Sequence, residues 1–294
     1  MLEQSRYAKQ SIAVLDSHMA YIETGQGAPI VFLHGNPTSS WLWRNILPFA
    51  APFGRCIAPD LIGMGDSGRL EPSGPRRYRL VEQRAYLDAF FDALDICNGV
   101  TLVLHDWGSV LGFDWANRHR QAIRGIAYME AVVRPVTRAD LGDDTVAMFE
   151  ALRSSEGERL ILDENMYVQQ ALPSTVLRTL SEVEMDAYRA PYLEPGEGRR
   201  AMLSWCREVP FDQTPSDVWD IEAAYAAWLP GSSIPKLFVN ADPGAFLVGD
   251  KRAFCRTWRN QEEVTVAGLH FVQEDSPAEI GQALASWLGR LSSG

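Results

Sequence analysis

A handful of polar residues stand where apolar runs stop, and their types could make and break a bond to carbon. Asp106 ends the run Gly99–Leu104 and precedes a helix-periodic stretch, Val110–His119. Strand, sharp turn and helix in that order form a nucleophile elbow, which lifts one side chain above a parallel sheet. The usual residue is Ser, with Gly two positions before and two after; here Gly108 follows, but Leu104 replaces the upstream Gly. A carboxylate is ionised at neutral pH, so it attacks without a base. That chemistry suits displacement at a saturated carbon with a good leaving group. The competing reading of Asp106 is a helix N-cap, where Asp is also favoured.

Asn36, Glu130 and His270 also fall at ends of candidate strands, as does Asp242. Ligands of an open parallel sheet bind beyond the carboxyl ends of its strands. The order nucleophile, acid, histidine is that of an α/β-hydrolase. His270 alone reads equally as a core histidine. The acid is Glu130 or Asp242, since many such enzymes place it at the latter strand end.

The elements that must position these groups alternate. Ser11–Leu15 and His18–Glu23 read as an antiparallel pair turning at Asp16 and Ser17. Pro29–Leu33, Arg55–Pro59 and Gly125–Met129 are short apolar runs expected of doubly buried strands. Ser39–Ala50 and Leu80–Leu94 read as helices, and Asp60–Gly68 is a glycine-rich loop. Arg134–Gln213 lacks a buried strand; helix-periodic stretches such as Thr145–Arg153 and Leu180–Tyr188 are punctuated by Pro and Gly. A helical cap inserted in the sheet is expected there. Strands resume at Pro235–Asn240 and Glu263–Val266, and a helix, Pro277–Leu288, closes the chain. The fold class is α/β with a mostly parallel sheet.

The 294 residues are 46% hydrophobic, enough for a sizeable core. A net charge of −11 argues against nucleic acid and anionic membrane surfaces as partners. Four cysteines show no CxxC pair and no metal-ligand spacing, which predicts reduced thiols in a cytoplasmic protein and no metal. The start, Met1–Gln10, is polar and predicts no secretory signal, and no apolar run is long enough to span a membrane.

Taken together, the motifs resemble those of the haloalkane dehalogenases. They are His34-Gly35-Asn36-Pro37-Thr38-Ser39-Ser40, Asp60-Leu61-Ile62-Gly63-Met64-Gly65-Asp66-Ser67, His105-Asp106-Trp107-Gly108, Tyr128-Met129-Glu130-Ala131 and His270-Phe271-Val272-Gln273-Glu274-Asp275. The likeness runs through nearly the whole chain and is greatest to the branch with the hexachlorocyclohexane-degrading enzymes. It implies an α/β-hydrolase core over 1–133 and 214–294, with a helical cap over 134–213.

By the same resemblance, Asp106 displaces halide from a small halogenated alkane and becomes an alkyl ester, and His270 then activates water. Glu130 orients His270 and stabilises its imidazolium, and the branch favours it over Asp242. Asn36 and Trp107 hold the leaving halide ion, and their backbone N–H groups form an oxyanion hole. No cofactor is implied. Matched residue by residue, the cavity wall would include Thr145, Phe149, Tyr167, Ala171, Thr175, Trp205, Cys206, Val209 and Phe246; Cys206 stands where a close relative carries Pro. His34 and His105 are expected to be structural, and Trp41 and Trp43 to pack. An epoxide hydrolase shares the Asp chemistry but needs cap tyrosines, for which Tyr167 and Tyr188 are available. A non-catalytic binding protein on the same fold is the reading from another class.

Overall fold

The computed structural model describes residues 7–292; the first six residues of the polar start and residues 293–294, which complete the expected stretches 1–133 and 214–294, lie outside them. Eight strands form one sheet: β1 (Lys9–Val14), β2 (Ser17–Thr24), β3 (Pro29–Leu33), β4 (Arg55–Pro59), β5 (Val100–Asp106), β6 (Ile123–Ala131), β7 (Lys236–Pro243) and β8 (Gln261–Gly268). Their order is β1-β2-β4-β3-β5-β6-β7-β8. β1 and β2, and β2 and β4, pair antiparallel; every other pair is parallel. The middle strands are buried at all but one terminal residue each, which explains their apolar runs.

Helices cover both faces. Leu80–Ala93, the elbow helix Trp107–Arg118 and Ser216–Trp228 share one apolar cluster with the sheet, through Phe90, Phe113 and Tyr225. The closing helix, Pro277–Ser292, packs on the other through Ile280, Leu284 and Trp287. The stretch expected as one helix, Ser39–Ala50, is a 3-10 turn, Ser40–Trp43, and a separate short helix, Leu47–Ala50. Pro48 lies in the first turn of that second piece, where its missing N–H has no helical partner to lose.

Between β6 and β7 the described chain contains no strand. Asp143–Arg153, Glu182–Arg189 and Arg200–Arg207 are its principal helices before Ser216–Trp228, with π-helical turns at Arg159–Asp163 and Tyr167–Ala171. Ser181 and Glu184 form a capping box at the start of Glu182–Arg189. Charged residues tie this layer to the sheet domain. Arg44 donates to the fully buried Glu274 at 2.8 Å, and Arg178 from the helical layer donates to the same carboxylate at 2.6 Å. Glu208 accepts from Arg79 at 3.0 Å and from the Leu80 backbone at 2.9 Å.

Candidate active site

The chain turns from β5 into the elbow helix at Asp106, with φ 49° and ψ −130°. A positive φ on a non-glycine residue is a strained conformation that surrounding packing must hold. The carboxylate makes no capping bond to the helix, so the N-cap reading is not what the side chain adopts. Gly108 permits the turn: a Cβ there would lie 2.3 Å from the Leu33 carbonyl oxygen. Leu104, in place of the usual upstream Gly, finds its room over Gly112, where a Cβ would lie 2.3 Å from Leu104 Cδ2. The Ser109 hydroxyl donates to the Asp106 carbonyl and accepts from Val132 N at 2.8 Å, so it splints the elbow to β6.

The two carboxylate oxygens of Asp106 face different partners. Oδ1 accepts the Asn36 backbone N–H at 2.8 Å, and the Trp107 backbone N–H beside the carboxylate helps hold its pKa down. Oδ2 lies 3.4 Å from His270 Nε2. Gly35 makes the approach of the β3 loop possible, because a Cβ there would sit 2.0 Å from Oδ1. Any side chain at 35 would push the loop off the carboxylate.

His270 follows β8, and its Nδ1 lies 3.3 Å from Glu130 Oε2. Glu130 occupies a break in register: His105 pairs with Met129, whereas Asp106 pairs with Ala131. The bulged residue has φ 42°, and a bulge of this kind re-aims a side chain. Its carboxylate then accepts backbone N–H groups of Phe246 at 2.6 Å, Ala245 at 3.2 Å and Leu247 at 3.3 Å. These donors belong to the loop after β7. Asp242 is exposed near the end of that strand, and the carboxylate beside the imidazole is that of Glu130.

Electrostatics follow from this arrangement. Burial alone would lower the His270 pKa, but the Asp106 and Glu130 carboxylates outweigh it and raise it to about 9. Burial would raise both carboxylates; the His270 ring and the backbone donors instead hold them below their ordinary values. The free protein near neutral pH therefore holds an imidazolium between two carboxylates. His105 is different: burial, then the charge of His270, lowers it to about 3. Its Nε2–H donates to the His270 carbonyl at 2.9 Å, which fixes the loop that carries the imidazole. His34 is also buried and lowered, donating through Nδ1 to the Gly35 carbonyl at 2.9 Å and accepting from Leu61 N at 2.9 Å. Both read as structural.

A cavity of about 310 Å³ opens over Asp106, with Asn36, Trp107 and His270 in its wall. Of the wall residues expected from the sequence, Phe149, Tyr167, Ala171, Thr175, Cys206, Val209 and Phe246 line it. Trp205 and Thr145 do not. Trp205 is fully buried behind Trp107, with rings stacked 4.7 Å apart at 27°, so it backs an indole of the wall instead of forming the wall. Trp43 packs edge-on against Phe32, and Trp41 lies under the Arg44 guanidinium. Sequence reasoning missed Met148, Val132, Leu172 and Glu222 as lining residues. The apolar three are indistinguishable from core residues by type. Glu222 had a signal: it is an acid on the buried face of an apolar helix. Of the two tyrosines, Tyr167 lines the cavity, whereas Tyr188 donates its hydroxyl to buried Glu274. Among the described residues, no group of three or more His, Cys, Asp or Glu is arranged to hold a metal ion.

Residues 28–277 match the family model of the alpha/beta hydrolase fold. The chain is 57% identical over 283 residues to a haloalkane dehalogenase of Sphingobium indicum, covering 96% of each protein. It is 51% identical over 278 residues to a haloalkane dehalogenase of Mycolicibacterium smegmatis, covering 94% of this chain and 89% of that one. Among solved structures, the haloalkane dehalogenase DbeA from Bradyrhizobium elkani superposes with a TM-score of 0.91 at 42% identity, over 97% of this chain and 99% of that one. A putative ancestral haloalkane dehalogenase gives 0.91 at 41% identity, over 97% and 100%. A chain that carries an aspartate on an elbow, an imidazole between two carboxylates and an apolar cavity thus belongs to the haloalkane dehalogenases, hydrolases of carbon–halogen bonds on the α/β-hydrolase fold.

Proposed function

We propose that this chain hydrolyses small haloalkanes to alcohol, halide and a proton through a covalent ester on Asp106. The observation that carries the mechanism is the division of labour at its carboxylate: one oxygen accepts the Asn36 backbone N–H, the other faces His270 at the cavity. Oδ2 attacks the halogen-bearing carbon from the side opposite the halide, the carbon–halogen bond breaks, and the electron pair leaves with the halide. The Trp107 indole N–H and the Asn36 side-chain amide receive that charge, because neither needs to give up a proton. The Asn36 amide donates to the Met202 carbonyl at 3.1 Å and makes a weaker contact with Cys206 Sγ at 3.5 Å; a halide takes over the weaker one.

Esterification removes the Asp106 charge, and the His270 pKa, raised by that charge, falls with it. The imidazolium releases its proton and becomes a base. Water then attacks the ester carbonyl carbon, His270 Nε2 takes the water proton, and the Asn36 and Trp107 N–H groups hold the oxyanion on Oδ1. Collapse expels the alkoxide, which takes the proton from His270 as it leaves as alcohol, and the acid left on Asp106 returns its proton to His270. Glu130 keeps the Nδ1 proton in place and stabilises the imidazolium during these transfers. Residues 134–213 act as the cap that closes an apolar cavity over the reacting carbon. The free thiols fit a reducing, cytoplasmic setting.

Replacing His270 with Phe separates the two steps, since ionised Asp106 needs no base to attack. Mixed with a bromoalkane, this variant should release up to one equivalent of bromide per active site and stop. Its mass should rise by the alkyl group, located on the peptide carrying Asp106. Continued turnover without an adduct would overturn the mechanism, as would a folded variant that gives neither burst nor adduct. An epoxide assay alongside measures the competing chemistry, for which the cavity offers Tyr167 but not Tyr188 as a proton donor.

A further inference from the structure

Glu222 is a carboxylic acid in the cavity wall that none of these steps uses. It lies on the buried face of the helix Ser216–Trp228, one turn from Val218 and Tyr225. That helix packs on the elbow helix, and the Tyr225 hydroxyl donates to the Val132 carbonyl at 2.7 Å. The acid therefore enters the cavity from the side of the sheet and not from the helical layer. The residue is 1% exposed, and Oε2 makes no hydrogen bond.

A buried polar atom without a partner is costly, and Glu222 carries that cost in the cavity wall. Burial pushes the Glu222 pKa well above the usual carboxylate range, and no nearby charge opposes the shift. The group in the wall is thus a neutral acid with an O–H to give. Asp106 and His270 sit elsewhere in the same wall, so a bound chain meets both the nucleophile and this donor.

We propose that Glu222 recognises an ether or hydroxyl oxygen on the non-reacting part of the substrate, so that the cavity favours oxygen-bearing haloalkanes over plain ones of equal length. The inference rests on Asp106 as the nucleophile. A site built to hydrogen-bond one substrate atom discriminates against the analogue that lacks it.

The test compares bromide release from 1-bromo-4-methoxybutane and 1-bromohexane, which differ by an oxygen for a methylene. The readout is the ratio of the two kcat/KM values, in which intrinsic reactivity cancels between variants. That ratio should fall about tenfold in Glu222→Met, or in Glu222→Leu if the first variant does not fold. Glu222→Gln, whose amide still donates, should stay within about threefold of wild type. A ratio in the apolar variants within about twofold of wild type would overturn the inference. So would a wild type that favours 5-bromopentylammonium over the ether, because that preference requires an ionised acid. If wild type released no bromide from 1-bromohexane, the reading of Asp106 would fail instead.

Discussion

The reacting rim and the cavity wall are built in different ways. Each group of the rim sits at a strand end, and backbone fixes it: Asp106 on a strained turn, Glu130 on a bulge held by three N–H groups, Asn36 over a glycine that admits no Cβ. Much of the wall comes instead from helices and π-helical turns between β6 and β7, tied to the sheet by long charged side chains such as Arg44, Arg178 and Arg79. A strand end places an atom to within a fraction of an ångström; a helix on an ion-paired surface places a side-chain volume. Chemistry that depends on hydrogen-bond distances belongs on the first, and fit to a carbon chain on the second.

Breaking the rim should cost far more than altering the wall. Glu130→Gln leaves the geometry but loses the charge that stabilises the imidazolium, and steady-state turnover should fall about 10³-fold. Asp242→Asn, measured beside it, should stay within about threefold of wild type, since its carboxylate is exposed on β7. The reverse ranking would move the triad acid to Asp242 and dissolve the role of the bulge.

Trp107→Leu tests the halide clamp. Removing one donor to a developing anion should slow carbon–halogen cleavage about 10²-fold. In wild type, added halide should quench tryptophan fluorescence, and in the variant the part owed to Trp107 should vanish. Unchanged turnover together with unchanged quenching would remove the indole from the clamp.

The pH dependence should differ between the two steps. In the free protein His270 is protonated below about 9, but the first step needs only ionised Asp106, whose pKa is lowered. The bromide burst should therefore be flat across neutral pH. Ester hydrolysis needs neutral His270, and the relevant pKa is that of the esterified state, without the Asp106 charge. Hydrolysis should fall as pH drops, by about tenfold per unit below that pKa, with a midpoint well under 9. Rapid-mixing halide release and ester decay, followed across pH, check both limbs. A hydrolysis midpoint at 9 would mean that esterification leaves the imidazole unaffected.

A smaller loss than at any rim group is expected in the wall. Phe149→Ala enlarges the cavity without touching a hydrogen bond, and should shift the preferred chain length with about a fivefold change in kcat/KM. A loss as large as that of Glu130→Gln would erase the contrast between rim and wall.

The same contrast explains what was legible in the sequence. Asp106, Glu130, His270 and Asn36 were readable because each ends an apolar run, and strand ends of a parallel sheet converge at one edge. The bulge at Glu130 was not readable, because it depends on pairing with β5. Nor was the room that Gly112 makes for Leu104, which arises between a strand and the helix after it. Trp205 matched the wall by its place in the chain, yet stacking on Trp107 puts it one layer back. Phe149 and Tyr167 were reached through resemblance alone, since apolar wall and apolar core share one vocabulary of residues.

Cys206 gives the cavity a hazard as well as a shape. Haloalkanes are alkylating agents, and a thiolate beside the reacting carbon would be consumed by its own substrate. Burial pushes the Cys206 thiol up to about 12, with its S–H directed to the Met202 carbonyl at 3.2 Å. At pH 7 only about one molecule in 10⁵ then carries the sulfur nucleophile, whereas Asp106 is ionised in nearly all. Two nucleophiles line one chamber, and burial keeps the sulfur one protonated while Asp106 stays ionised. The working life of the catalyst, counted in turnovers before self-alkylation, is thus set by how dry the surroundings of that sulfur stay.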